Sequence, residues 1–345
     1  MKTQRNVNVR YSYHPTRAWG MVAVVVAAII VAACGAPEGR PTTEATKAGT
    51  GTGQAGPGKP VVVTTFYPLE YLAKRIGAER IVVSGLVPAG TEPHDWEPTP
   101  GDIVSINDAD VFIYQGAGFE AWAERVVRDL PQGTPLVVEA TAGLEVMEGE
   151  GHEEEGSSSG TPQNDRPSQE ELDPHLWLDP SLYLREAQAI ETALSQADPD
   201  GRSVYAANLV KLTADLNSLD ADLKAGLAVC ERRTIVTSHT AFSYFVKRYD
   251  LRQIPVSGIS PEEEPSPARL REIIDTVKAE GATHIFFETL LNREVAETIA
   301  QETGAKTLVL NPIEGLTADE AGAGADYVSI MRQNLANLRL ALGCK

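Results

Sequence analysis

Three histidines lie in loops that could aim an imidazole at a metal ion. His94 lies in the run EPHDWEP, residues 92–98, and His175 lies between two Asp-Pro pairs in DPHLWLDP, residues 173–180. His239 directly follows an apolar, β-branched run that predicts a strand. Each proline fixes its own φ and restricts the residue before it, so the first two loops hold their histidines on stiff, extended backbone. Stiff loops of this kind favour metal ligation over an ordinary surface role.

Features near two of these histidines would prepare them for coordination. Asp173 and Asp179 could orient the ring of His175 by accepting its second N–H, as metal-bound imidazoles require. His239 is predicted at a helix N-terminus, whose positive end disfavours imidazolium and keeps the ring neutral. We therefore expect the ring of His175 to be oriented and the ring of His239 to be neutral.

A carboxylate completes the predicted donor set. Glu314 lies in NPIEGL, residues 311–316, directly after the last predicted strand, and could supply an oxygen. Glu288 directly follows the predicted strand 284–287. It is expected to orient a ligand or, as an alternative, to replace Glu314 as the metal ligand. Three neutral imidazoles and one carboxylate suit Zn²⁺. Mn²⁺ prefers more oxygen donors and binds nitrogen-rich sites more weakly, so the donor set predicts zinc.

The other three histidines are given lesser roles. His14 lies in a segment predicted to be removed, and His152 lies in a polar loop where it could at most collect metal loosely. His284 lies inside a strand pattern and is interpreted as structural.

Strands alternate with helices along most of the chain, which predicts βαβ units and an α/β fold with mainly parallel sheets. The predicted strands are 61–66, 81–87, 111–114, 136–139, 234–237, 254–257, 284–287 and 307–310. The predicted helices are 69–76, 99–107, 121–130, 181–197, a long helix after Asp198, a helix that follows residues 238–242 and ends at about Tyr249, and helices near 268–280, 293–303 and 326–342. Ligands in open α/β sheets bind beyond the carboxyl ends of strands, so the histidine loops should converge there.

The long helix divides the chain into two lobes. Its leucines recur three and four residues apart from Leu209 to Leu227, which predicts a sustained apolar stripe. Asp198-Pro199 offers an N-cap with proline in the first turn. We predict an N-terminal lobe at 60–197, a rigid linking helix at 198–228 and a C-terminal lobe at 229–345. Residues 145–173 are predicted to form an acidic, unstructured loop.

The N-terminus is typical of an export signal. Basic residues precede an apolar run shorter than a membrane span and end in VAACG, residues 31–35. This predicts a signal peptide at 1–33, a lipidated Cys34, and a flexible tether at 34–59. An uncleaved membrane anchor is the alternative. In either case the chain works outside the cytoplasm, at the outer face of the cytoplasmic membrane or in the periplasm.

The cysteines predict a disulfide, and the net charge excludes one class of function. Export permits disulfides, and with Cys34 assigned to lipid, Cys230 and Cys344 are expected to pair. The 345 residues carry a formal net charge of −18. Nucleic-acid binding is therefore excluded, because it needs a basic face.

The three histidine motifs, in this order, resemble the metal-binding lipoproteins of ABC importers (cluster A-I, ZnuA/AdcA type), from about Pro60 to the end. The resemblance implies a monomeric receptor that hands metal to a permease and performs no chemistry. It also implies that the metal lies in the cleft between the two lobes. It implies ligation by His94, His175, His239 and Glu314. Manganese members usually have Glu at the position of His239 and Asp at that of Asn311, and this chain has neither.

Three alternatives stay open from the sequence. The first is a manganese- or iron-binding member of the same family. The second is a secreted zinc hydrolase, although the chain has no His-Glu-x-x-His pair. The third is a surface adhesin, which is compatible with metal transport.

Overall fold

A computed structural model describes residues 58–131, 133, 135–149, 172–261 and 265–345. The predicted signal peptide, His14, Cys34, almost all of the tether, His152 and most of the acidic loop lie outside these residues. Within the described residues, none of the helices has the length and apolar character needed to cross a membrane.

Four parallel strands form one sheet in the N-terminal half. The strands are β1 (Val61–Thr64), β2 (Val82–Gly85), β3 (Val111–Tyr114) and β4 (Leu136–Glu139), in the order β2-β1-β3-β4. The β-branched run of β1 is buried on both faces, as expected for a strand covered by helices on both sides.

The C-terminal half contains two parallel strand pairs. They are β5 (Thr234–Thr237) with β6 (Arg252–Pro255), and β7 (His284–Phe287) with β8 (Lys306–Val309). The alternating α/β class with parallel sheets is confirmed.

Ten α-helices connect or cover the strands of the described residues. They are α1 (Tyr67–Gly77), α2 (Pro100–Asn107), α3 (Ala123–Asp129), α4 (Pro180–Ala197), α5 (Arg202–Leu227), α6 (Ser243–Arg248), α7 (Pro267–Glu280), α8 (Glu294–Thr303), α9 (Ala318–Gly322) and α10 (Tyr327–Leu342). A 3₁₀ turn at Leu176–Leu178 directly follows His175 and leads into α4.

The long helix α5 packs into an apolar core that both halves share. Its buried stripe contacts residues of α1 and α4 on one side and of α10 on the other. At about 1.5 Å per residue, its 26 residues span about 39 Å. Two smaller apolar clusters, one in each half, lie against the sheets. Both halves belong to one compact unit, residues 53–345, so the predicted lobe boundaries stay a prediction.

The start of the long helix differs from the prediction. Asp198 does not cap it, because Pro199–Gly201 forms a 3₁₀ turn and α5 begins at Arg202. The Asp198 carboxylate instead accepts hydrogen bonds from Arg80 and Tyr205. This ties the turn before α5 to the 3₁₀ turn Ala78–Arg80 that follows α1.

A disulfide joins Cys230 and Cys344. It links the segment that follows α5 to the residue that follows the C-terminal glycine of α10.

Candidate metal centre

Four side chains from four separate loops meet at one point. They are His94, His175, His239 and Glu314, and we call them the His₃Glu cluster; their ligand atoms all lie within 4.8 Å of one another. His175 and His239 are fully buried, and Glu314 is 2% exposed. The loops come from both halves of the chain, so neither half holds a complete site.

Four of the distances between donor atoms are similar. Glu314 Oε1 lies 3.4 Å from His94 Nε2, 3.3 Å from His175 Nε2 and 3.2 Å from His239 Nε2. The Nε2 atoms of His175 and His239 are 3.3 Å apart. Each ring therefore presents the same nitrogen to the centre of the cluster.

A carboxylate orients each of two rings from behind. His175 Nδ1 lies 2.8 Å from Asp173 Oδ1, and His239 Nδ1 lies 2.8 Å from Glu288 Oε1. When Nδ1 carries the proton and donates it to the carboxylate, Nε2 keeps its lone pair for a metal. Asp173 and Glu288 thus have the geometry predicted for orienting groups.

Asp179 differs from the prediction. Its carboxylate accepts a hydrogen bond from the backbone N–H of Ser181 at 2.7 Å, which caps α4, and lies 3.3 Å from Arg248 Nε. The Nδ1 atom of His175 already faces Asp173. The second Asp-Pro pair therefore starts a helix and does not orient the ring.

Burial and charge act in opposite directions on the histidines. Burial lowers the pKa of His94, and the nearby Glu314 only partly offsets this. For His239, burial also lowers the pKa, but Glu288 and Glu314 outweigh it and hold the pKa well above the usual range. The expected placement of His239 at a helix N-terminus was wrong, because α6 begins only at Ser243. The two neighbouring carboxylates, not a helix end, are the charges that act on this ring.

Burial and neighbouring histidines also have opposite effects on the pKa of Glu314. Burial alone would raise its pKa, but His239 and His94 attract the carboxylate and hold its pKa well below the usual range. The charged forms of Glu314 and His239 therefore favour each other.

Several residues that support the ligands were not assigned a role from the sequence. Trp177 Nε1 donates to the carbonyl of Pro312 at 2.7 Å, and Tyr244 Oη donates to the carbonyl of Asp173 at 2.7 Å. Trp177 lies two residues after His175 and Tyr244 lies five residues after His239, but their partners are 135 and 71 residues away. Only the folded chain shows these pairs.

A buried polar network supports the turn that carries His175. Gln115 Nε2 donates to the carbonyl of Pro174 at 2.9 Å and to Glu186 Oε1 at 3.1 Å. Burial raises the pKa of Glu186 to about 8. The carboxyl group of Glu186 is therefore largely protonated at neutral pH, which avoids an unpaired buried charge.

His284 lies in β7, half-buried, with its Nδ1 at 2.9 Å from Thr283 Oγ1. It is not one of the cluster residues, in agreement with a structural role.

Residues 62–341 match the family model described as zinc-uptake complex component A, periplasmic (ZnuA). The chain belongs to the ZnuA family. Among ZnuA relatives, the high-affinity zinc uptake system protein ZnuA of Bacillus subtilis is 37% identical over 323 residues, which cover 94% of this chain and 97% of the relative. The zinc-binding lipoprotein AdcA of Streptococcus pneumoniae is 36% identical over 282 residues, 82% of this chain but 56% of AdcA.

A solved structure of a ZnuA family member agrees with the fold. The Zn(II)-bound ZnuA-like domain of S. pneumoniae AdcA superposes with a TM-score of 0.70 at 34% identity, over 83% of this chain and 99% of that domain. The family predicted from the three histidine motifs is therefore confirmed.

Proposed function

We propose that this protein captures Zn²⁺ outside the cytoplasm through its His₃Glu cluster and delivers it to the permease of an ABC importer. The donor spacing carries the proposal. Four atoms about 2.0–2.1 Å from a tetrahedral zinc ion lie about 3.3–3.4 Å from one another. Glu314 Oε1 lies 3.2–3.4 Å from the three Nε2 atoms.

Zinc enters the site as cargo, and the protein's own groups prepare its capture. Asp173 and Glu288 accept the Nδ1–H groups of His175 and His239, which leaves the Nε2 lone pairs directed at the centre. Zinc replaces the proton held between His239 and Glu314, since ligands must be deprotonated to coordinate. Docking on the permease is then expected to disturb the loops and release the ion.

The donor set favours zinc over manganese. The Asn311 side chain is committed elsewhere: its Oδ1 accepts from the backbone of Ile313, and its Nδ2 donates to Thr289 and Glu320. It therefore does not add an oxygen to the cluster, which stays rich in nitrogen, as zinc prefers.

The cluster also favours binding without catalysis. A catalytic zinc site keeps one coordination position for water. The position of the Glu314 carboxylate beside the three histidines supports its assignment as a fourth ligand in place of water. We therefore propose a transport role and no hydrolytic activity.

Elemental analysis of the purified protein and competition between zinc and manganese test the proposal. We expect one zinc per chain that a large excess of manganese does not displace. Manganese that displaces zinc at comparable concentration would contradict it, and so would a Glu314→Ala variant that binds zinc as tightly as the wild type.

We further propose that Cys34 carries a lipid that holds the protein at the outer face of a membrane, with residues up to 59 as tether. The small residues before Cys34 and the name of the AdcA relative support this. Expression of a Cys34→Ala variant followed by membrane fractionation tests it, and recovery of that variant with the membranes at the wild-type level would refute lipid anchoring.

A further inference from the structure

The residue before Glu314 has a backbone conformation that is unusual for its type. Ile313 has a φ of 62°, in the left-handed region that a β-branched side chain rarely adopts. Its side chain is fully buried. Because such conformations persist only where the surroundings impose them, specific contacts must hold Ile313 in place.

Two hydrogen bonds hold the peptide group that joins Pro312 to Ile313. The backbone N–H of Ile313 donates to Asn311 Oδ1 at 2.7 Å, and the carbonyl of Pro312 accepts from Trp177 Nε1 at 2.7 Å. The orientation of the peptide group directly before Ile313 is therefore fixed from both of its polar atoms.

Asn334 holds the start of the same loop. Its Oδ1 accepts from the backbone N–H of Asn311 at 2.9 Å, and its Nδ2 donates to the carbonyl of Asn311 at 2.7 Å. Asn334 is 2% exposed and lies on α10, a helix that supplies none of the cluster residues. One side chain thus fixes both backbone polar groups of Asn311.

We propose that Asn334 is a positioning residue for zinc binding, which acts by holding the 311–314 loop in the conformation that aims Glu314 at the three histidines. This inference rests on the proposed function. Without Asn334, the backbone of Asn311 loses both partners, and Ile313 can relax from its disfavoured conformation. That relaxation would turn the Glu314 carboxylate away from the Nε2 atoms.

A double-mutant cycle tests the proposal by zinc affinity, measured by competition with a chelator. We expect Asn334→Ala to lower the affinity of the wild type by about tenfold, as is typical when a residue that orients a ligand is lost. In a Glu314→Ala background the same change should leave the affinity unaltered, because no carboxylate remains to be positioned. An equal loss in both backgrounds, or no loss in either, would overturn the proposal.

Asn337→Ala is the matched control. Asn337 also lies on α10 and donates to a β8 carbonyl, that of Val309, at 2.8 Å. Its loss should lower stability without changing zinc affinity, and an affinity loss equal to that of Asn334→Ala would show a general effect of α10 and overturn the proposal.

Two further variants keep the test decisive. If Asn334→Ala does not fold, Asn334→Asp retains the acceptor but not the donor, and the same cycle applies. Glu314→Ala alone separates the two claims: if it binds zinc as tightly as the wild type, the proposed ligand set fails, whatever Asn334 does.

Discussion

At the scale of single residues, one oxygen atom organises the site. Glu314 Oε1 lies within 3.4 Å of all three imidazoles, and its negative charge favours a proton on His239 when zinc is absent. The charged forms of these two groups therefore stabilise each other. We expect zinc, which needs the Nε2 lone pair of His239, to exchange for a proton on that ring.

This exchange predicts a dependence on pH. Burial lowers the pKa of His239, but the carboxylates raise it overall. Protonation of His239 therefore stabilises the zinc-free fold, fully so below the unfolded pKa of about 6.5. This contribution is lost as the pH rises through the pKa of the folded state. Zinc affinity should accordingly begin to fall at a pH above 6.5 as the solution is acidified. Calorimetry at pH 7 in buffers of different ionisation enthalpy should detect release of about one proton per zinc.

The absence of any buffer dependence would contradict a protonated His239. An affinity unchanged between mildly acidic and neutral pH would contradict ligation by three histidines altogether.

Glu288 should contribute to affinity without touching the metal. Glu288→Ala leaves the buried Nδ1–H of His239 without its partner, and zinc affinity should fall by about tenfold or more. Glu288→Gln keeps an acceptor oxygen and should lose less. Glu97→Ala is the control, since Glu97 belongs to the first histidine motif but is 67% exposed and lies 3.6 Å from Arg125. Equal affinities for Glu288→Ala and Glu97→Ala would refute an orienting role.

The sequence predicted which residues meet but not all that hold them. Proline-bracketed loops and strand ends mark His94, His175 and His239 because local backbone chemistry is visible in the sequence. Asn334 carries no such mark, since its partner is 23 residues away and belongs to another element. The two identical Asp-Pro pairs around His175 also make different contacts: Asp173 faces His175 Nδ1, whereas Asp179 caps α4.

At the scale of elements, α5 is the main support of the core. Leu219 is fully buried in the shared apolar cluster, whereas Val210 on the same helix is 69% exposed. Leu219→Ala should lower the free energy of unfolding by about 2–5 kcal/mol, because it removes buried methyl groups and leaves a cavity. Val210→Ala should change it by no more than about 0.5 kcal/mol. Denaturant unfolding of the zinc-free variants measures both, and similar values would contradict the assigned stripe.

The sequence predicts whether a segment is a strand or a helix better than it predicts the residues at which that segment begins and ends. Every predicted strand is present, because β-branched runs bounded by turn residues give a clear pattern. However, β6 pairs with β5 at Arg252–Pro255, two residues before the predicted 254–257, because the register is set by the partner strand. The first residue of α5 was missed for a similar reason: Asp198 is engaged by Arg80, which is 118 residues away.

At the scale of the whole molecule, the ligand loops are bonded to one another across the two halves. The backbone N–H of Gly90 donates to the carbonyl of Leu316 at 2.7 Å, and Trp177 donates to Pro312. With α5 packed into a core common to both halves, zinc binding should cause only modest movement. Solution X-ray scattering should give the same radius of gyration with and without zinc, and a clear compaction on binding would contradict a rigid link.

A crystal structure of the zinc-loaded protein tests the central claim most directly. The anomalous signal at the zinc edge should locate one ion about 2.0–2.1 Å from the Nε2 atoms of the three cluster histidines and about 2.0–2.2 Å from a Glu314 oxygen. A zinc ion bound elsewhere, or bound here without one of these histidines, would contradict the account.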